Sequence, residues 1–211
     1  MKIAVSYLKS KDSLEETIQK IDESLADYIH VDLMDGVFVQ NKTEDIARHI
    51  LALQGRKKPL DIHLMMQGEI LAKTIDVVSF LKPDCISIHA EVDQVEEMID
   101  KIKEKGIQVG LAISPDTPIF KLRPYFHEID KIIIMSVYPG RGGQSFLKEV
   151  VSKIKLLKEI KEDYQYPFVL EVDGGINQET ISYVSELVDV VVSGSYVCMK
   201  EDLNEAIKSL K

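Results

Sequence analysis

Two short stretches carry residues that a buried strand does not need for packing. In "YIHVDLM", His30 and Asp32 stand two apart, and in "LDIHLM", Asp61 and His63 do the same. A strand turns successive side chains to opposite faces, so each pair shares one face. "CISIHA" carries a third imidazole, His89, and "FVLEVD" brings Glu171 and Asp173. Imidazole and carboxylate together are the ligands of a divalent ion such as Zn²⁺, Fe²⁺, Mn²⁺ or Co²⁺, and a carboxylate can also take or give a proton. His30, Asp32, His63 and Asp173 lie near the C-terminal ends of their runs, where they can converge on one ion. Any one of them alone is better explained as a buried polar residue satisfied by a neighbour; four of them at one rim favour the ion. Asp61 and Glu171 read as structural, each paired with a lysine or a helix end. His89 stands between a place behind the ligands and plain packing.

These residues sit on short apolar runs rich in Val and Ile: 2–6, 28–33, 60–65, 85–90, 107–113, 131–137, 168–173 and 189–194. Charged, amphipathic segments separate them. In "VDQVEEMIDKIKEK", Val92, Val95, Met98, Ile99 and Ile102 recur at helical spacing, and Gly106 follows as a C-cap. Ser13 with Glu16 fits a capping box before another helix. Strands alternating with helices imply a parallel sheet. Steps of roughly 25 residues fit a compact (β/α)8 TIM barrel of one domain spanning 1–211. A doubly wound sheet is the alternative, but no G-x-G-x-x-G follows the first run. In a barrel, the C-terminal strand ends form the mouth where chemistry occurs.

Glycine-rich turns follow three of the runs: "VYPGRGGQSF", "VDGGIN" and "VSGSYV". Backbone N–H groups in such turns come close to an anion, and barrels place phosphate after strands seven and eight. That predicts a phosphate site at Gly174, Gly175, Gly194 and Ser195. The turn with Gly140, Gly142, Gly143 and Gln144 reads as a mobile lid over the substrate. Met34, Met65 and Met135, each near a strand end, form either an apolar lining beside the ion or ordinary core.

The totals bound the rest. With 45% hydrophobic and 29% charged residues, the 211-residue chain has an ordinary soluble composition. No apolar run approaches the roughly 18 residues of a membrane span, and the charged N-terminus is not a signal peptide. A net charge of −9 without a basic stripe argues against nucleic acid. Cys85 and Cys198, far apart, read as free thiols in a reducing cytoplasm.

The segments "HVDLMDGVFVQN", "DIHLMM", "ISIHAE", "GLAISPDTP", "MSVYPGRGGQSF", "EVDGGI" and "VSGS", in that order, resemble the ribulose-phosphate 3-epimerase family over nearly the whole chain. The resemblance implies a (β/α)8 barrel with one divalent ion held by His30, Asp32, His63 and Asp173. It implies that Asp32 and Asp173 are the acid/base pair, that Ser6 touches substrate, and that the chain forms a homo-oligomer. The expected reaction is epimerisation at C3 of a ketose phosphate, through an enediolate. D-ribulose 5-phosphate is favoured over D-allulose 6-phosphate because "DGGI" is kept, and His63 is also counted among the substrate contacts. A sugar-phosphate-binding barrel without catalysis is the rival from another class; the two retained carboxylates argue against it. Barrel decarboxylases place a lysine among the strand-end acids, and no such lysine is read on these strands. Three departures bear on substrate choice: the first strand "VSYLKSKD", Gln40 in "FVQN", and Arg141 in "PGRGG", where the family has an aromatic.

Overall fold

The apolar runs become strands within a residue or two of their expected limits. In the computed structural model, which describes residues 1–211, they are β1 (Lys2–Ser6), β2 (Tyr28–Met34), β3 (Leu60–Met65), β4 (Cys85–His89), β5 (Gln108–Ile113), β6 (Lys131–Met135), β7 (Val169–Asp173) and β8 (Val190–Ser193). Each pairs in parallel with the next, and β8 pairs with β1, so the sheet closes into a barrel. The helices are α1 (Leu14–Glu23), α2 (Ile46–Ala52), α3 (Gly68–Ser79), α4 (Val95–Glu104), α5 (Val150–Asp163), α6 (Ser195–Cys198) and α7 (Leu203–Lys208). This is the expected (β/α)8 barrel, with two crossovers reduced to 3-10 turns. One of these, Ile119–Tyr125, has Pro118 at its N-cap and Pro124 inside it. Each proline lacks an N–H, so a regular α-helix has little chance to propagate there. The other is Ile181–Tyr183.

The local signals are also realised. The Ser13 hydroxyl accepts the Glu16 N–H, while the Ser13 N–H donates to the Glu16 carboxylate. Gly106, with φ +71, ends the α4 turn and donates to the Lys103 carbonyl at 2.8 Å.

Strand alternation divides the residues into two environments. Outward-facing Ile29, Val31 and Leu33, like Ile62 and Leu64, join the main hydrophobic core between sheet and helices. The inward faces are different. His30, Asp32, Asp61, His63, Ser87, His89, Lys131 and Glu171 are all buried polar or charged residues. Register sets their heights: His30 lies beside Asp61, Asp32 beside His63, Ile133 beside Glu171 and Met135 beside Asp173. The main core is therefore outside the barrel, and the interior sets these polar groups on β2, β3, β4, β6 and β7 beside small apolar clusters, Ala4 with Val190 and Val192, and Ala112 with Ile133 and Met135.

Candidate metal and active site

The four expected ligands meet. One donor atom each from His30, Asp32, His63 and Asp173 lies within 4.8 Å of all the others. Asp32 Oδ1 is 3.5 Å from His30 Nε2 and 3.2 Å from His63 Nδ1, and His63 Nδ1 is 3.8 Å from Asp173 Oδ2. Asp32 Oδ2 accepts the Ser6 hydroxyl at 2.7 Å, so β1 fixes the second carboxylate oxygen. The His30 ring is held from behind, its Nδ1 2.8 Å from Asp61 Oδ2. Lys131 balances Asp61 at 2.7 Å and Glu171 at 2.8 Å. An ionised Asp61 can only accept, so His30 donates from Nδ1 and its Nε2 is the nitrogen left to meet a cation. That Nε2 is buried and has no hydrogen-bond partner. A buried imidazole nitrogen without a partner, beside two carboxylates, is what a cation site offers, and mixed N/O donors suit a borderline divalent ion. The residues fit the ion.

A cavity opens above this cluster. It is lined by Ser6, Asp32, Met34, Met65, Met135 and Asp173 on the strands. Gly174, Gly175, Gly194 and Ser195 form one side, and Gly140, Gly142, Gly143 and Gln144 cover it. A Cβ at Gly174 would sit 2.4 Å from a Val137 methyl, and one at Gly175 would sit 2.5 Å from the Phe146 nitrogen. Both positions also have positive φ, at +120 and +65, so the turn after β7 demands glycine twice over. The covering turn is tied down by Gln144, which donates to the carbonyls of Tyr138 and Arg141, and by Asn41, which donates to Gly140.

The fold and this geometry agree with what is found among known proteins. Residues 2–198 match the model of the ribulose-phosphate 3 epimerase family. The chain belongs to this family. It is 37% identical over 213 residues to the ribulose-phosphate 3-epimerase of Helicobacter pylori (strain ATCC 700392 / 26695), covering 100% of this chain and 97% of that protein. It is 33% identical over 220 residues to the enzyme of the same name from Bacillus subtilis, covering 100% of this chain and 98% of that one. Among solved structures, 3-hexulose-6-phosphate synthase from Salmonella typhimurium shares the fold, with a TM-score of 0.71 at 16% identity, covering 100% of this chain and 96% of that one.

The two carboxylates differ in which one holds a proton. Burial alone would raise Asp32, but His30 and His63 at its oxygens hold it well below the usual carboxylate range. Burial, then the nearby charge of Asp32, pushes Asp173 up to about 8. Burial brings His63 down to about 4 against the pull of its hydrogen bond with Asp32, so its ring is neutral. His30 is raised well above its ordinary value: burial opposes its charge, but Asp32 and Asp61 outweigh that cost. A proton on His30 here takes the place of the cation.

The structure also places four further residues. His63 was expected to touch substrate as well as the ion. Its ring is wholly buried and does not line the cavity, because Asp32 and Asp173 stand in front of it. A buried lysine does stand among strand acids: Lys131 opens β6 and reaches Asp61 and Glu171. It lies at the N-terminal end of the strand, away from the mouth, and its partners are the two acids expected to have structural roles. His89 lies behind His63, its Nε2 2.9 Å from His63 Nε2. Lys9 was missed; it lines the cavity beside Gly142, from the loop after β1.

Proposed function

We propose that this chain interconverts D-ribulose 5-phosphate and D-xylulose 5-phosphate at C3, with Asp32 and Asp173 as the proton-transfer pair. One observation carries the reading. Two carboxylates from different sides of the barrel, on β2 and β7, border one cavity with their proton affinities driven apart. A carboxylate held ionised is a base, and one held protonated is an acid. Asp32 removes the C3 proton from one face of the sugar, and Asp173 returns a proton to the other. The roles exchange in the reverse reaction. Ser6, donating to Asp32 Oδ2, keeps that carboxylate pointed at the cavity.

His30, Asp32, His63 and Asp173 would hold one divalent ion of the Zn²⁺, Fe²⁺, Mn²⁺ or Co²⁺ kind. Bound there, the ion supplies Lewis acidity that stabilises negative charge on the substrate oxygens as the C3 proton leaves. The amides of the turns at Gly174, Gly175, Gly194 and Ser195 grip the phosphate, which supplies binding energy far from C3 and fixes orientation. Met34, Met65 and Met135 give the sugar an apolar wall that adapts to either epimer. The turn 138–144 closes over the complex and keeps bulk water from the reacting carbon.

The same reading places the protein in a reducing cytoplasm, supported by two buried free cysteines. No helix is long and apolar enough to cross a membrane. It also includes a homo-oligomer, supported by exposed Phe80, Phe120 and Tyr164.

The deciding experiment is an epimerase assay on ketose 5- and 6-phosphates with defined metals, run in D2O. Conversion of ribulose 5-phosphate with deuterium entering C3 of the product is the expected result. A preference for D-allulose 6-phosphate would reassign the substrate, and binding without turnover would make the chain a sugar-phosphate binder.

A further inference from the structure

Glu91 has no part in the chemistry above, yet a line of polar groups connects it to the ion site. His63 Nε2 lies 2.9 Å from His89 Nε2, and His89 Nδ1 lies 3.0 Å from Glu91 Oε2. Glu91 Oε1 accepts the Ser114 N–H at 2.8 Å. Both imidazoles are wholly buried. Phe38 packs on His89 with ring centroids 4.6 Å apart, and His89 lies 4.9 Å from His63. The far end is anchored too: Lys153 Nζ donates to the carbonyls of Ser114, Pro115 and Thr117, at 3.1, 2.6 and 2.7 Å.

If His63 Nδ1, the nitrogen 3.2 Å from Asp32 Oδ1 and 3.8 Å from Asp173 Oδ2, is to meet the ion, this line has one direction. An imidazole that gives its lone pair at one nitrogen carries its proton on the other, so His63 donates from Nε2. His89 Nε2 must then accept, which leaves the His89 proton on Nδ1, the nitrogen 3.0 Å from Glu91 Oε2. A carboxylate there accepts that proton and the Ser114 N–H together.

We propose that Glu91, acting through His89, selects the His63 tautomer that aims the Nδ1 lone pair at the ion. Glu91 is a positioning residue for the metal centre, and the assignment rests on reading the four-residue cluster as that centre. Asp61 does the same for His30 directly. The two histidines thus carry separate orienting carboxylates, one on β3 and one beyond β4. Ligand histidines are commonly fixed this way, and losing the orienting partner typically weakens metal binding by about 10–100-fold.

The test is Glu91→Gln. A glutamine has one oxygen for two donors, the Ser114 N–H and the His89 Nδ1–H. When its oxygen takes Ser114, its NH2 faces His89 Nδ1, which must become an acceptor. His89 then donates from Nε2, His63 Nε2 must accept, and the His63 proton moves to Nδ1, where the lone pair was. Zn²⁺ affinity, measured by competition with a chromophoric chelator, is expected to fall about 10–100-fold in E91Q, with the melting temperature of the metal-free protein little changed. A merely structural Glu91 would lower the melting temperature and leave Zn²⁺ affinity alone. The second measurement needs no variant. Long-range ¹H–¹⁵N spectra of Zn²⁺-loaded wild type should show His89 protonated at Nδ1 and His63 at Nε2. His89 protonated at Nε2, or a folded E91Q that binds Zn²⁺ as tightly as wild type, would overturn the relay and leave the metal reading standing. A wild-type chain that binds no Zn²⁺, Fe²⁺, Mn²⁺ or Co²⁺ would overturn both.

Discussion

The barrel interior holds two clusters of buried acids, one above the other, and they are solved in opposite ways. In the lower, Asp61 and Glu171 close on the Lys131 ammonium at 2.7 and 2.8 Å. In the upper, Asp32 and Asp173 gather with two imidazoles, and the His30 Nε2 is left without a partner. His30 links the layers, bonded below to Asp61 and facing Asp32 above. A buried charge is tolerated only when it is paired. The lower layer brings its own cation, and so it is structure. The upper layer lacks one and opens on a cavity, and so it is a site. The difference lies in what the protein itself supplies as partner, since the residue types are nearly the same.

The contrast can be broken most forcefully from above. Asp32→Asn or Asp173→Asn should lower turnover by at least about 10²-fold, since each removes a proton-transfer group. Asp173→Asn should cost little stability in the metal-free protein, because that carboxyl, at about 8, already holds a proton, whereas Asp32→Asn also takes a partner from His30. Near-wild-type turnover in either variant would end the two-carboxylate assignment. Lys131→Met tests the layer below. It leaves Asp61 and Glu171 facing each other without a cation, and the loss read from urea unfolding should be about 3–5 kcal/mol. Glu171 is already pushed up to about 7 by burial and by Asp61. A carboxyl whose folded value lies above its unfolded one stabilises fully below the unfolded value, and that stability is lost as pH rises through the folded one. Without the ammonium the folded value rises further, so the deficit of Lys131→Met should widen from pH 5 to pH 8. A deficit independent of pH would mean that the ammonium is not what the two acids need.

A smaller effect sharpens the difference between a cation the protein brings and one it must borrow. His30, raised by Asp32 and Asp61, holds a second proton at neutral pH while no ion is bound. Ligation needs the lone pair under that proton, so binding must release it and affinity must rise with pH. Titrating Zn²⁺ calorimetrically in buffers of different ionisation enthalpy should give heats that track the buffer, with apparent affinity increasing from pH 6 to 8. Heats that ignore the buffer would show the ligands already bare.

Much of this could be read in the chain before any coordinates. The period-two placement of His30 with Asp32 and of Asp61 with His63 fixed which faces they share, and strand ends fixed that the ligands converge. The glycine turns were legible because Gly174 and Gly175 occupy positions where a Cβ has no room. What sequence hid was whatever depends on pairing across the barrel. Lys131 stands at the boundary of an apolar run and looks like a solvated end; only closure of the sheet brings it to Asp61 and Glu171. Glu91 looks like the first acid of a helix approach, and its meaning comes from His89 behind His63. The two 3-10 crossovers were illegible for another reason: helical spacing says little over segments of three to seven residues.

The lid gives the mildest test, and it contrasts with the floor of the cavity. Arg141 and Lys9 are exposed and line the same cavity rim. The floor acts on the reacting carbon at short range in a water-poor space. The rim presents positive charge in water, where it can only draw in a dianionic phosphate, and where salt screens it within about 10 Å at 0.1 M ionic strength. Arg141→Gln should therefore raise KM a few-fold at low salt and leave kcat nearly unchanged, with the difference shrinking as salt is added. Asp173→Asn should instead depress kcat at every salt concentration. Should Arg141→Gln lower kcat a hundredfold with no response to salt, the guanidinium would belong with the reacting groups on the floor, and the division between a steering rim and a catalytic floor would fail.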